Sequence, residues 1–129
     1  MGYYISTTLK NTTFKEAIEK TTAALKEEGF GVLTEIDLKA TLKKKLDADF
    51  YNYTILGACN PVMAHQALQA ENKIGTMLPC NVIIQEREPG IIEISAVNPA
   101  ASMMAVDNDS LATLAKKVQM KLTKVIQNI

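Results

Sequence analysis

Cys80-Asn81-Val82-Ile83-Ile84-Gln85-Glu86-Arg87-Glu88-Pro89-Gly90-Ile91-Ile92-Glu93-Ile94-Ser95-Ala96-Val97 reads as two strands folded back on one another. Both halves are rich in β-branched residues, which fit a pleated surface. Pro89-Gly90 separates them and supplies a turn dipeptide. Two strands joined by so short a turn must pair antiparallel. Pro79 stands just ahead of the first strand, a place in a sheet element where a missing N–H is harmless.

Upstream, Tyr51 to Cys59 is a third strand, dense in Tyr, Thr and Ile. Phe30 to Ile36 and Gly2 to Leu9 read as two more. Two long helices accompany them. Thr13 and Glu16 form a capping box, in which Glu16 is expected to reach back to the cap. Phe14, Ala17, Ile18, Thr21 and Leu25 then follow helical spacing, and Gly29 ends that helix in the left-handed conformation. The last helix runs from about Ser110 to Gln127, with the stripe Leu111, Leu114, Val118, Leu122, Val125 and Ile129.

Two short helices flank the third strand. Asp37 caps one, and Lys43, Lys44 and Lys45 end it. Cations there complement the macrodipole, so the run reads as helix electrostatics before it reads as a binding patch. Asn60 caps the other, with Pro61 in its first position and Ala70 near its end. Glu71 to Leu78 reads as a loop. The expected fold class is α+β: a mostly antiparallel sheet, order strand, helix, four strands, helix, with both long helices on one face.

The chain has 129 residues and is expected to form a single domain over 1–129. Some 47% of its residues are hydrophobic, enough for a core without metal or disulfide staples. Fourteen basic and fourteen acidic residues cancel, which argues against nucleic acid as a partner. No stretch reaches the ~20 apolar residues of a membrane span. The N-terminal MGYYISTTLK lacks a basic leader and an apolar run, and Tyr3, Tyr4 and Ile5 alternate as a strand does, so a signal peptide and Gly2 lipidation are set aside. A cytoplasmic location is expected, in which both cysteines are reduced thiols.

Several short motifs carry a family resemblance. Gly29-Phe30-Gly31-Val32 leads into Glu35-Ile36-Asp37. Ile55-Leu56-Gly57-Ala58-Cys59-Asn60-Pro61 continues to Ala64-His65. Gly75 precedes Leu78-Pro79-Cys80-Asn81-Val82, and Asn98-Pro99 precedes Met103-Met104. In this order they resemble the bacterial and archaeal domain-of-unknown-function family 302, over nearly the whole chain. The resemblance implies a fold of the TATA-binding-protein-like group with order β-α-β(4)-α. It brings no settled activity, no catalytic residue and no cofactor, and a shared fold does not transfer function.

The candidate site is therefore argued from residues. Cys59 and Cys80 are the only cysteines, each at a strand–turn junction beside a proline. As small hydrophobes both can simply fill the core. Tyr53, Ile55, Gly57 and Cys59 share one face of their strand, and Cys80, Val82 and Ile84 share one face of theirs. The functional reading places Cys59 at a helix N-terminus, where a thiolate is favoured, and lets Asn60 orient a ligand. The sulfurs meet only if the two strands are neighbours. Cys59, Asn60, Pro61, Cys80 and Asn81 are then the ligand-binding set.

Zinc is disfavoured by ligand count, since the chain has two Cys and one His. A soft ion such as Cu(I) can use two thiolates. His65 lies more than a turn from Cys59 and makes a poor catalytic partner for it. Glu35 and Asp37 are a weak acid–base pair, because Asp37 is already a cap. Ala100 to Val106 is apolar without clear periodicity; it covers core, lines a pocket or forms a homodimer contact. Three functions stay open: a small binding or accessory protein with a small-molecule or soft-metal site near Cys59 and Cys80, a thiol-dependent redox enzyme using Cys59, and a structural or interaction module that is a homodimer.

Overall fold

The computed structural model describes residues 2–129; Met1 lies outside the described residues. The strands are β1 (Tyr4–Lys10), β2 (Gly31–Asp37), β3 (Asn52–Cys59), β4 (Cys80–Glu88) and β5 (Ile91–Val97). The helices are α1 (Phe14–Glu27), α2 (Leu38–Leu46), α3 (Pro61–Ala70), α4 (Pro99–Ser102) and α5 (Asp109–Gln127). The fold is α+β, and every strand pairing is antiparallel.

The sheet order is β1-β5-β4-β3-β2, so the first two strands of the chain are its two edges. α1 must therefore cross the whole sheet. Its 14 residues span roughly 21 Å at 1.5 Å per residue, and four strand spacings total roughly 19 Å. Helix length and sheet width match, which lets one helix join the two edges.

Period-two alternation then divides the sheet. Leu56, Ala58, Val82, Ile84, Ile92, Ile94 and Ala96 point to one face and pack with Ala17, Ala24 and Leu25 of α1 and Leu122, Val125 and Ile126 of α5. Ile36, Ile55, Ile83 and Tyr53 have the opposite parity and lie outside that core. Both long helices thus cover one face. Leu33 bulges out of β2 between Val32 and Thr34 and is exposed, which interrupts that edge for pairing.

Local signals fix the ends of these elements. Thr13 Oγ1 accepts from the Glu16 N–H at 3.1 Å, as a cap should. The reciprocal half of the capping box is replaced, because the Glu16 carboxylate accepts from the Thr12 hydroxyl instead. At the other end, Gly29 has φ +85°. Its N–H donates to the Lys26 carbonyl, and the Phe30 N–H donates to the Leu25 carbonyl, the double bond pattern of a left-handed helix stop. That stop turns Phe30 into the core. Asp37 caps α2 by accepting from the Ala40 N–H while also ending β2. Lys43 in α2 pairs with Asp47 and Asp49, so this part of the lysine run is neutralised locally.

Three segments differ from expectation, one being the apolar stretch after Asn98, which opens with the short helix α4 that its lack of periodicity did not indicate. The first strand starts at Tyr4 rather than Gly2, since the Gly2 and Tyr3 carbonyls are taken by Asn98. The 71–78 stretch is not a plain loop: it carries a 3-10 turn at Ile74–Met77, and the buried Ile74 anchors it. Among the described residues no helix is long and apolar enough to cross a membrane.

Candidate functional site

β3 and β5 both run antiparallel to β4. Their C-terminal ends therefore lie beside the N-terminal end of β4, and three prolines gather there. Pro61 and Pro99 open α3 and α4, and Pro79, after a cis peptide bond, precedes β4. Proline at a first helical position fits because its missing N–H would be unpaired anyway.

Three asparagines fasten the helices around this end. Asn60 Oδ1 accepts from the Met63 N–H at 3.2 Å. Asn98 Oδ1 accepts from the Ala100 N–H, while its Nδ2 donates to the Gly2 carbonyl and its own N–H to the Tyr3 carbonyl. Asn108 Oδ1 accepts from the Leu111 N–H, and its Nδ2 donates to the Ala70 carbonyl at 2.9 Å. Asn108 thereby ties the last residue of α3 to the first turn of α5.

Between these fastened elements lies a cavity of about 40 Å³. Cys59, Asn60 and Ala58 from β3 and its exit line it on one side, and Cys80 and Pro79 on another. Met63, Ala64 and Ala67 of α3 and Leu111, Leu114, Ala115 and Val118 of α5 line the rest of it, together with Phe30, Leu78, Pro99 and Met103. The lining is almost wholly apolar. Beside it lies a depression of about 230 Å³ that includes Met77, Asn81 and Val97. Pro79, Cys80, Pro99 and Met103 line both, so they form the wall between them.

The sequence-derived set is thus partly assembled. Cys59, Asn60 and Cys80 share the cavity. Asn81 lies in the neighbouring depression, and Pro61 lines neither. The strand register brings the two cysteines close together along the sheet. Cys80 is the cross-strand partner of Ala58, so Cys59 stands one residue beyond it on the adjoining strand. Cys80 is 8% exposed and belongs to the main core, whereas Cys59 is half-buried where β3 turns into α3. The remainder of the Cys59 strand set, Tyr53, Ile55 and Gly57, faces away from the helices, so of the two sets read as able to fill the core only that of Cys80 does.

Burial pushes the Cys80 thiol up to about 11, and the neighbouring Cys59 adds to the rise. Both cysteines are free. The Asn60 amide has its oxygen engaged in capping, so it positions α3 rather than presenting that oxygen to a ligand. His65 is exposed on α3, away from the cavity. The Ala100 to Val106 stretch divides: Met103 turns to the cavity, whereas Met104 is 81% exposed. Among the described residues no group of three or more His, Cys, Asp or Glu is placed to hold a metal ion.

Sequence reasoning did not single out Met63, Phe30, Leu78 or Pro99 as lining residues. The Asn-Pro dipeptides at 60–61 and 98–99 were the available signal, since they mark the two helix starts on the strands that flank β4.

Comparison with known proteins agrees with this architecture. Residues 5–129 match the model of the domain of unknown function DUF302, and the chain belongs to that family. A crystal structure of an uncharacterized conserved protein DUF302 from Bacillus stearothermophilus is similar, with 26% sequence identity and a TM-score of 0.90. The match covers 99% of this chain and 98% of that one. No curated protein matches the chain.

Proposed function

We propose that this protein is a small binding protein whose cavity takes a soft, thiophilic metal ion at Cys59 and Cys80. One observation carries the reading: both cysteines of the chain line the same apolar cavity. The space of about 40 Å³ decides between guests. It exceeds the roughly 10–15 Å³ that one water needs, and falls far below the ~300–1,000 Å³ of pockets that enclose organic ligands. An ion fits where a metabolite does not.

Chemistry selects the kind of ion. Hard cations want several oxygens, and structural zinc wants four Cys or His ligands. Two sulfurs in an apolar shell suit a soft ion of low coordination number. Binding displaces thiol protons, so affinity rises with pH. Cytoplasmic residence belongs to the proposal, because a reducing compartment keeps both thiols free.

Thiol catalysis is less well supported. An attacking cysteine needs thiolate and access, and Cys80, the would-be resolving partner, is buried with its thiol pushed up to about 11. A homodimeric interaction module is the second reading. It is favoured by Tyr4, Ile36 and Ile91, exposed apolar side chains on the sheet face that the long helices leave open.

Titration of the reduced protein with Ag(I), a soft ion free of redox change, tests the proposal. One ion bound per chain, lost in Cys59→Ser and in Cys80→Ser, supports it. Binding that is absent, or indifferent to both substitutions, ends it. Sedimentation of the same samples reports the oligomeric state.

A further inference from the structure

We propose that the ion is Cu(I), held by the thioethers of Met63 and Met103 as well as by the two thiols, and delivered past Met77. This deepens, and rests on, the soft-metal reading of the cavity. The observation is a set of sulfur-bearing residues around two adjoining spaces. Of the six methionines in the chain, Met63 and Met103 line the cavity with Cys59 and Cys80. Met103 also lines the adjoining depression, and Met77, 39% exposed, lies on that depression. Sulfur-bearing residues thus run from the exposed Met77, by way of Met103, to the two cysteines.

The thioethers are what choose among soft ions. Thioether sulfur is a good ligand for Cu(I) and a poor one for zinc or any hard cation. It is also uncharged. An apolar cavity penalises every buried charge that is not compensated, so neutral ligands complete the coordination of a monovalent ion without adding anionic charge. Two thiolates already balance a divalent ion, so charge alone does not choose the ion and the thioethers carry that choice. The placement of the sulfurs follows from the fold: α3 brings Met63, the turn after α4 brings Met103, and β3 and β4 bring the cysteines. Methionine side chains are flexible enough to close on an ion and release it, so Met103, set in the wall between the two spaces, is suited to pass the ion inward.

The test uses the full reduced chain without oxygen, titrated with Cu(I) in competition with bicinchoninate. Four proteins are compared: wild type, Met63→Leu/Met103→Leu, Met77→Leu and Cys59→Ser. Leucine preserves volume and apolarity, so each methionine variant keeps its packing. We expect one Cu(I) per wild-type chain. The double methionine variant should lose at least about tenfold in Cu(I) affinity while its Ag(I) stoichiometry is retained through the thiols. Met77→Leu should load more slowly at unchanged affinity. A double variant that matches wild type within twofold overturns the thioether assignment and leaves the thiol site standing. Loading by Met77→Leu at the wild-type rate overturns the delivery route. Wild-type protein that binds no Cu(I), or Cys59→Ser that binds as wild type does, overturns the inference together with the reading beneath it.

Discussion

Cys80 stands across the ladder from Ala58, so that Cys59, the next residue on β3, shares a cavity wall with it although the two lie 21 positions apart in the chain. The thiols are nevertheless unequal. One is packed in the core beneath the helices, and the other is half-buried at a strand exit.

This inequality predicts a two-step thiol reaction in the metal-free protein. Cys59 should react with a thiol label in the folded state, and Cys80 should react only as the protein unfolds. Labelling followed by peptide mass analysis, with and without denaturant, checks the order. Equal rates for both thiols in the folded protein would contradict it.

The Cys80 thiol also predicts a loss of stability in alkali. Its folded value is raised from 9.0 to about 11, so the fold favours the protonated form. The contribution is whole below about pH 9, falls as pH rises between the unfolded and folded values, and is gone above about 11. Two pH units correspond to about 2–3 kcal/mol at most. Urea unfolding across this range should show the decline in wild type and a flatter profile in Cys80→Ala.

Gly57 predicts a severe packing mutant. A Cβ there would stand 2.8 Å from Pro79 Cγ and closer still to the Thr34 hydroxyl. β2, β3 and the approach to β4 are therefore pressed together at a position where only hydrogen fits. Gly57→Ala should cost about 1–3 kcal/mol through overpacking, and Gly57→Ala combined with Thr34→Ala should recover part of that loss. Denaturation midpoints of the two variants decide it.

Gly29 should be intolerant for a different reason. Its φ of +85° is left-handed, and an added Cβ would lie 3.1 Å from the Asn60 amide nitrogen. Gly29→Ala should destabilise by about 1–2 kcal/mol, whereas Gly31→Ala, with open space around the new Cβ, should cost less. Thermal melts of the pair make the comparison.

Asn98 is a buried polar anchor, 1% exposed, whose amide holds both the N-terminal segment and the start of α4. Asn98→Ala leaves the Gly2 carbonyl and the Ala100 N–H without this partner and should cost about 1–3 kcal/mol. Asn98→Asp keeps the cap but loses the donor to Gly2, so its melting point should fall between those of wild type and the alanine variant.

Much of this molecule could be read from local signals. The Pro89-Gly90 hairpin, the Thr13, Asp37 and Asn60 caps and the Gly29 stop all occur where the residues indicated. Each depends on contacts within a few positions, and such contacts are written in consecutive residues. The apolar stripe of α5 likewise announced its buried face, since Leu111, Leu114, Leu122 and Val125 are all buried. The cavity was legible only in part. Cys59 and Cys80 stood out by rarity, but Met63 and Phe30 look like ordinary core residues in the sequence.

Consecutive residues already announced the five strands, the four longer helices and most of their ends, and two cysteines at strand–turn junctions. Packing of the whole fold was needed to make β3 and β4 neighbours, to set Cys80 under the helices, and to bring two cysteines and two methionines around one small space. The reason is physical. Caps and turns are short-range interactions fixed by adjacent residues, whereas strand order and register arise from burying one face of five strands at once, a condition no single segment expresses.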